Sequence, residues 1–476
     1  MNKYLYGYLL AAVIVAGLGG CMLAPNYTRP QAPVSVDWPT GTAYKETAAG
    51  APLASELPWR KFFSDPRLQQ LIEMALSNNR DLRIAALNVE RMRAIYGIQR
   101  AEILPTVDAA GVANKQRLAA DLSGTGKPET VKQYSVNLGI VAWEIDFFGR
   151  IRSLEQRALE EYLSTEEARR SAQILLISEV ANAYLTLAAN RESLQLTLST
   201  LESQQATYDL VRRRYEKGLT PELDLYQAQT RVETARVDAG LFGRLVAQDE
   251  NALCFLVGSP VPSELLPASL SVVDLTMEIA PGVSSEVLLG RPDILGAEHL
   301  LKAANANIGA ARAAFFPRIS LTTSVGTASD DLSGLFKSGS NVWAFTPQAV
   351  MPIFDARLGP ALEATKAERE MVQVQYEKSI QMAFKEVSDA LAVQGTVEEQ
   401  LSAQQSLVNA VAETYRLSNI RYIKGIDNFL SVIDAQRSLY AAQLRLISLR
   451  LDRFTNQVVL YAALGGGLDS AESTEP

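Results

Sequence analysis

Nucleophilic or metal chemistry in this chain of 476 residues would have to be built from one histidine, His299, and two cysteines, Cys21 and Cys254. A closed zinc site takes about four ligands, and a serine or cysteine nucleophile needs an adjacent base, so either would draw on that single imidazole. His299 lies in an Ala-rich stretch of helical pattern and reads as an ordinary packed or surface histidine. Cys254, in Ala252-Leu253-Cys254-Phe255-Leu256-Val257, reads as a small buried hydrophobe. Carboxylates are plentiful, and glycoside hydrolysis needs two of them across a sugar-binding cleft. No Asp or Glu pair stands in such a context, and the aromatic content is 7%, which disfavours a wall hydrolase. No catalytic residues, no metal and no bound cofactor are expected. With a formal net charge of -8 and a pI near 5.1, the chain also lacks the basic field that nucleic-acid binding requires.

Cys21 is the one cysteine in a chemical context. Lys3 precedes an apolar run from Leu9 to Leu18, too short to span a bilayer but suited to the core of a signal peptide. The run ends in Leu18-Gly19-Gly20-Cys21, which resembles the bacterial lipobox. Small residues there fit the signal peptidase, and the thiol receives a diacylglycerol. Residues 1–20 are therefore read as a signal peptide, and Cys21 as the mature first residue carrying diacylglycerol and an N-acyl chain such as palmitate. Each buried methylene contributes about 0.8 kcal/mol, so several chains anchor firmly. Met22 is not aspartate, so the usual inner-membrane retention signal is missing, which favours sorting to the outer membrane. Residues 21–60, rich in Pro, Ala, Thr and Gly, read as an acylated extended leader.

The elements behind these residues come in two copies. Asp81, Ala85, Ala94, Gly97, Arg100, Ala101 and Pro105 recur as Asp293, Ala297, Ala306, Gly309, Arg312, Ala313 and Pro317. Tyr208, Leu210, Arg214, Tyr215, Lys217, Gly218, Leu223, Ala228 and Gln229 return as Tyr415, Leu417, Arg421, Tyr422, Lys424, Gly425, Leu430, Ala435 and Gln436. A tandem duplication is the reading, with repeats over 61–280 and 281–467 and a disordered tail at 468–476. Each repeat orders a helix, two strand-like segments, a very long helix, a Gly-containing break and another helix. Between Gly149 and Gly218 there is neither Gly nor Pro, and a helix of that length reaches about 100 Å. Val180, Leu187, Leu194, Leu201, Tyr208 and Tyr215 fall at every seventh residue, as do Val387, Gln394, Leu401, Val408, Tyr415 and Tyr422. A period of seven predicts supercoiled helices.

The strand-like segments alternate. Tyr134, Val136, Leu138 and Ile140 are interleaved with Ser135, Asn137 and Gly139; the phase then flips, so that Trp143, Ile145 and Phe147 take over. Ile319, Leu321, Thr323 and Val325 alternate similarly with Arg318, Ser320, Thr322 and Ser324, and a further segment begins at Trp343 and Phe345. Period two over about ten residues fits a transmembrane barrel strand. Gly-rich polar loops at 119–127 and 329–334 would face outside the cell. Four strands cannot close a barrel, and open edges in lipid leave backbone groups unsatisfied, so the arithmetic demands oligomerisation.

Together these features resemble the TolC family of outer-membrane channels, in its lipidated branch serving resistance-nodulation-division (RND) tripartite pumps. The residues that carry the resemblance are Trp143-Glu144-Ile145-Asp146-Phe147-Phe148-Gly149-Arg150, Leu104-Pro105, Phe316-Pro317, Pro352-Ile353-Phe354-Asp355 and Asp434-Ala435-Gln436-Arg437. The closing segment from Leu460 to Gly467 fits as well. The resemblance implies a mixed α and β fold, mainly long α-helices. Four strands per subunit would join a trimeric 12-stranded transmembrane β-barrel continuous with a long periplasmic α-helical coiled-coil barrel. It implies no enzyme. The partners would be two more copies, a periplasmic adaptor (membrane fusion) protein, an inner-membrane RND transporter and outer-membrane lipid. The protein would supply the exit duct for drugs or other toxic compounds in a Gram-negative cell. The absence of a Met/His-rich tract disfavours a dedicated metal-handling role.

By the same resemblance, the periplasmic end is closed by inner coiled-coil helices of the second repeat. Leu430 and Asp434 would form a hydrophobic ring and a carboxylate ring on the threefold axis. Three close carboxylates repel, so the ring favours cations. Arg421, Tyr422 and Arg437 would hold inner helices to outer ones. Gly218, Leu219 and Thr220 at one tip, with Gly425, Ile426 and Asp427 at the other, resemble the adaptor-docking grooves, where each Gly also suits a helix C-terminal cap. The competing reading from the residues alone is a lipid-anchored periplasmic coiled-coil scaffold without a pore.

Overall fold

The computed structural model describes residues 22–44, 54, 57–272 and 284–467; the signal peptide, Cys21 and the tail at 468–476 lie outside them. The alternating segments form one four-stranded antiparallel sheet in the order β1-β2-β3-β4. Its strands are β1 (Val107–Leu118), β2 (Glu129–Ile145), β3 (Arg318–Ser329) and β4 (Asn341–Val350). Cross-strand partners share a face, so the register sorts the side chains. One face carries Val107, Leu138, Ile140, Trp143, Ile145, Ile319, Leu321, Val325, Phe345 and Trp343; the other carries Asn137, Ser320, Thr322, Ser324, Thr346 and Gln348. Among the described residues both β1 and β4 end the sheet with an unpaired edge.

The phase flip in β2 has a local cause. Ile140 lies opposite Thr323 and Trp143 opposite Leu321, so Val141 and Ala142 together face the single residue Thr322. This is a β-bulge, in which one extra residue reverses the inward and outward sense. Ala142 adopts φ 53°, and its N–H donates to the Thr322 hydroxyl at 3.2 Å. β2 ends at Ile145 rather than continuing through Phe147 as the alternation predicts. There the Phe147 N–H turns back to the Ile145 carbonyl at 2.9 Å, and the Asp146 carboxylate accepts from the Arg152 amide at 3.0 Å.

The helices are α1 (Trp59–Phe62), α2 (Pro66–Asn78), α3 (Arg80–Ala101), α4 (Arg150–Glu216), α5 (Glu222–Val257), α6 (Pro292–Ala313), α7 (Leu358–Ile423) and α8 (Phe429–Ala463). α4 has 67 residues and α7 has 66, each about 100 Å long at 1.5 Å per residue. The order α3-β1-β2-α4-α5 returns as α6-β3-β4-α7-α8. By contact the chain forms two compact units that cut across the repeats. Of the described residues, one contains those at 22–31, 89–165 and 296–376; the other contains those within 32–88, 166–295 and 377–467.

In the first unit, the motif residues staple the strands to the helices that continue them. Glu144 accepts both guanidinium N–H groups of Arg150 at 2.8 Å and pairs with Arg318 at 2.7 Å. The Trp143 indole donates to the Ile103 carbonyl at 3.1 Å, and Phe148 stacks on Phe316 at 4.9 Å. The leader lies against α6. Glu298, almost fully buried, accepts from Tyr27 at 3.0 Å and from Arg29 at 2.6 and 3.0 Å. Arg312 and Asn305 bind the carbonyls of Leu23 and Pro25. A Cβ at Gly309 would sit 2.8 Å from the Ala24 nitrogen, so only glycine admits the leader this close.

In the second unit Asp65 caps the start of α2 by accepting from the Arg67 amide at 2.9 Å. Leu68, Leu71, Ile72 and Ala75 are buried at helical spacing. Tyr184 donates to Asp65 at 2.7 Å, and Tyr461 stacks on Phe62 at 4.1 Å while donating to the Leu57 carbonyl.

Candidate functional site

The predicted site residues gather at two hairpin tips in the second unit. Gly218 has φ 70° and Gly425 φ 73°. At the first tip, the Gly218 amide donates to the Tyr215 carbonyl at 2.8 Å and Leu219 to Arg214 at 2.9 Å; at the second, Gly425 donates to Tyr422 and Ile426 to Arg421, both at 2.9 Å. Each is a Schellman motif, whose left-handed residue is normally glycine. No atom lies within 4 Å of a Cβ built at either position, so glycine serves the backbone angle and not close packing. The residue after the glycine usually packs on an apolar one five positions back. Here those positions are Arg214 and Arg421, and Leu219 and Ile426 stay 65% and 58% exposed. Each tip therefore displays an unpacked aliphatic side chain on a fixed turn.

The tips share a backbone and differ in chemistry. Thr220 donates to Asp224 at 2.8 Å in the first. In the second, Arg421 grips Asp427 through two hydrogen bonds of 2.6 and 3.0 Å. That grip holds the Asp427 carboxyl below its ordinary range and raises Arg421. Arg421 is exposed and Asp427 only half-buried, so the pair fixes the turn's geometry more than it adds stability.

Behind the tips, Val211, Ala228, Phe429, Val432 and Ile433 are buried, with Tyr208, Leu225, Tyr415 and Tyr422 packed around them. All four long helices contribute. The Tyr422 ring lies 5.1 Å from Phe429, and the Arg214 guanidinium sits 5.6 Å above it, a cation–π contact between the two repeats. Among the described residues the buried Tyr422 hydroxyl has no hydrogen-bond partner.

Leu430 is 48% exposed, and Asp434, one helical turn on, is exposed as well. Arg437 pairs with Asp434 at 3.4 Å on the same helix. Within one copy both guanidiniums find carboxylates in the second repeat, Arg437 three residues away and Arg421 six. Tyr422 reaches the first repeat through Arg214. A third arginine was missed. Arg231 on α5 is half-buried, and burial, then the Arg437 charge, lower its pKa against the pull of Asp434. Its counterpart in the duplication is Ser438, so the repeat pattern gave no hint of it.

The remaining candidates lie elsewhere. His299 Nδ1 is 2.6 Å from Glu160, a packed histidine in the first unit. Cys254 is half-buried, a correction to its expected burial: the buried stripe of α5 passes through Leu253 and Val257 and leaves Cys254 on its flank.

A sequence model of the family described as outer membrane efflux protein matches residues 71–259 and 283–466. The chain is 50% identical over 468 residues to the probable efflux pump outer membrane protein TtgC of Pseudomonas putida, covering 98% of this chain and 96% of that protein. Its fold is similar to a crystal structure of a membrane protein from Pseudomonas aeruginosa, with TM-score 0.88, 42% identity and coverage of 94% and 100% of the two chains. It is also similar to the open state of the MtrE outer membrane channel of Neisseria gonorrhoeae, with TM-score 0.84, 38% identity and coverage of 94% and 99%.

Proposed function

The chain belongs to the outer membrane efflux protein family, and from that premise we propose how its parts make it the passive exit duct of a tripartite pump. It is an outer-membrane efflux channel reaching into the periplasm. The observation that carries the mechanism is the sheet, with one apolar face, one polar face and two unpaired edges. In lipid an unpaired edge costs several kcal/mol per unsatisfied group, so β4 of one copy joins β1 of the next until three copies pool twelve strands. The polar face then lines the lumen.

At the periplasmic end, Leu430 and Asp434 of three copies form the closing rings, and Arg421, Tyr422 and Arg437 set the helix positions that hold them. Arg421 acts by fixing the tip, and Tyr422 by bridging to Arg214. The exposed Leu219 and Ile426, each beside its glycine and followed by Thr220 or Asp427, offer two related docking places for helical hairpins of a periplasmic adaptor. An inner-membrane transporter of the RND type supplies energy and chooses the substrate; the duct itself breaks no covalent bond. Acylation of Cys21 anchors the leader that α6 receives.

The test is planar-bilayer recording of the purified native protein and of Asp434→Ala combined with Arg421→Ala. Small, cation-selective native currents that grow severalfold in the double variant are expected. Equal currents in both forms would remove the gate assignment and leave the duct. No current in either would remove the pore and favour the coiled-coil scaffold.

A further inference from the structure

The apolar face of the sheet ends in an uncompensated basic cluster. Along β2 this face runs Ile145, Trp143, Ile140, Leu138, Val136, Tyr134, then Lys132; along β1 it runs Val107, Ala109, Gly111, Ala113, then Lys115 and Arg117. Trp143 and Tyr134 bracket the apolar stretch. Nine residues at about 3.3 Å each, tilted by about 40°, rise roughly 20–25 Å, close to the apolar band of a barrel with its aromatic girdles. Lys132 and Lys115 come at the next outward-facing position, which is headgroup level, next to the β1–β2 loop.

The register makes the cluster costly in isolation. Lys115 lies directly opposite Lys132, and Arg117 opposite Thr130, and like charges directly opposed across strands are destabilising. All three basic residues are exposed, and among the described residues none of their side chains has an ion pair or hydrogen bond. The nearest strand carboxylate, Glu129, is paired with Leu118 and so belongs to the opposite face, as do the neutral Gln116 and Gln133. Positive charge is thus sorted onto the lipid side of the hairpin. Two ammonium groups and a guanidinium around one point match a phosphate, which can accept from all three.

We propose that Lys115, Lys132 and Arg117 form a binding site for the phosphorylated headgroup of an outer-leaflet glycolipid, one site per subunit on the bilayer-facing side of the β1–β2 hairpin. The inference rests on the membrane-spanning reading of the sheet. The acyl chains would lie along the Val136–Leu138–Ile140 stripe below, so the site selects an anion that is also a lipid.

The experiment is native mass spectrometry of the purified full-length oligomer titrated with diphosphorylated lipid A, monophosphorylated lipid A and phosphatidylethanolamine. Bilayer currents are recorded on the same preparations. Diphosphorylated lipid A should bind most tightly. Lys115→Gln with Lys132→Gln should weaken it at least about tenfold, while Gln116→Ala with Gln133→Ala on the lumenal face leaves it unchanged. Binding unaffected by the lysine changes overturns the site. Competition by inorganic phosphate as effective as by the lipid would make it a free-anion site instead. Loss of the oligomer in the lysine variant would make the cluster a contact between copies. If lipid A fails to bind to a protein that conducts, this inference falls and the duct stands; if the protein neither binds nor conducts, the duct reading falls with it.

Discussion

Burial alone would push the Glu298 carboxyl upward, but the Arg29 hydrogen bond, the Lys302 charge and the Tyr27 hydroxyl outweigh it and hold it below its ordinary value. A depressed carboxylate stabilises the fold fully above the unfolded range near about pH 4, and that stabilisation is lost as pH falls through the folded value. A spin label at the exposed Asn26 should therefore stay immobilised in the native chain and gain mobility only below about pH 4. In Glu298→Gln it should do so at neutral pH, with a loss of about 1–2 kcal/mol, since Arg29 is half-exposed and screened. Unchanged mobility in that variant would mean that the bonds from Arg312 and Asn305 suffice to hold the leader. None of this was legible in the sequence: Arg29 and Glu298 stand 269 residues apart, and no period connects them. Arg231 was hidden for a similar reason, because its significance lies in what α8 brings near it.

At the level of elements, local pattern carried far more. The stretch without Gly or Pro became α4, ending at Glu216 just before Gly218, and the alternating residues became strands. The break in alternation at Ile140–Trp143 was itself visible as a flipped phase, although only the pairing with Thr322 showed that one extra residue causes it. The heptad positions were less uniform than their spacing suggested: Val180, Leu187 and Val387 are buried, while Tyr215 is 37% exposed. Near the tips the burial shifts to Val211 and its cluster, because four helix ends meet there. The two faces of the sheet make adjacent residues unequal. Phe345 is 62% exposed on the apolar face, so Phe345→Lys should cost about 2–4 kcal/mol in the bilayer and reduce the amount of folded protein recovered from outer membranes. Thr346→Lys, on the polar face, should insert normally and shift conductance toward anions. Equal insertion of both variants would contradict the face assignment.

At the scale of the whole molecule, the sheet remains unfinished in a single copy, whereas the helices already bury apolar side chains within that copy. Native mass spectrometry in detergent should accordingly give a mass close to three subunits, and monomers produced by partial denaturation should keep their helical signal while losing conductance. A monomer that conducts would remove the pooled barrel. The bulge at Val141–Ala142 has a consequence of another kind. Because one extra residue sets which way Trp143, Glu144 and Ile145 point, losing that residue would turn the Glu144 carboxylate and its two arginines toward hydrocarbon and the indole toward water. The count of residues between Gly139 and Gly149, more than any one side chain within it, therefore decides which surroundings each residue after the bulge meets.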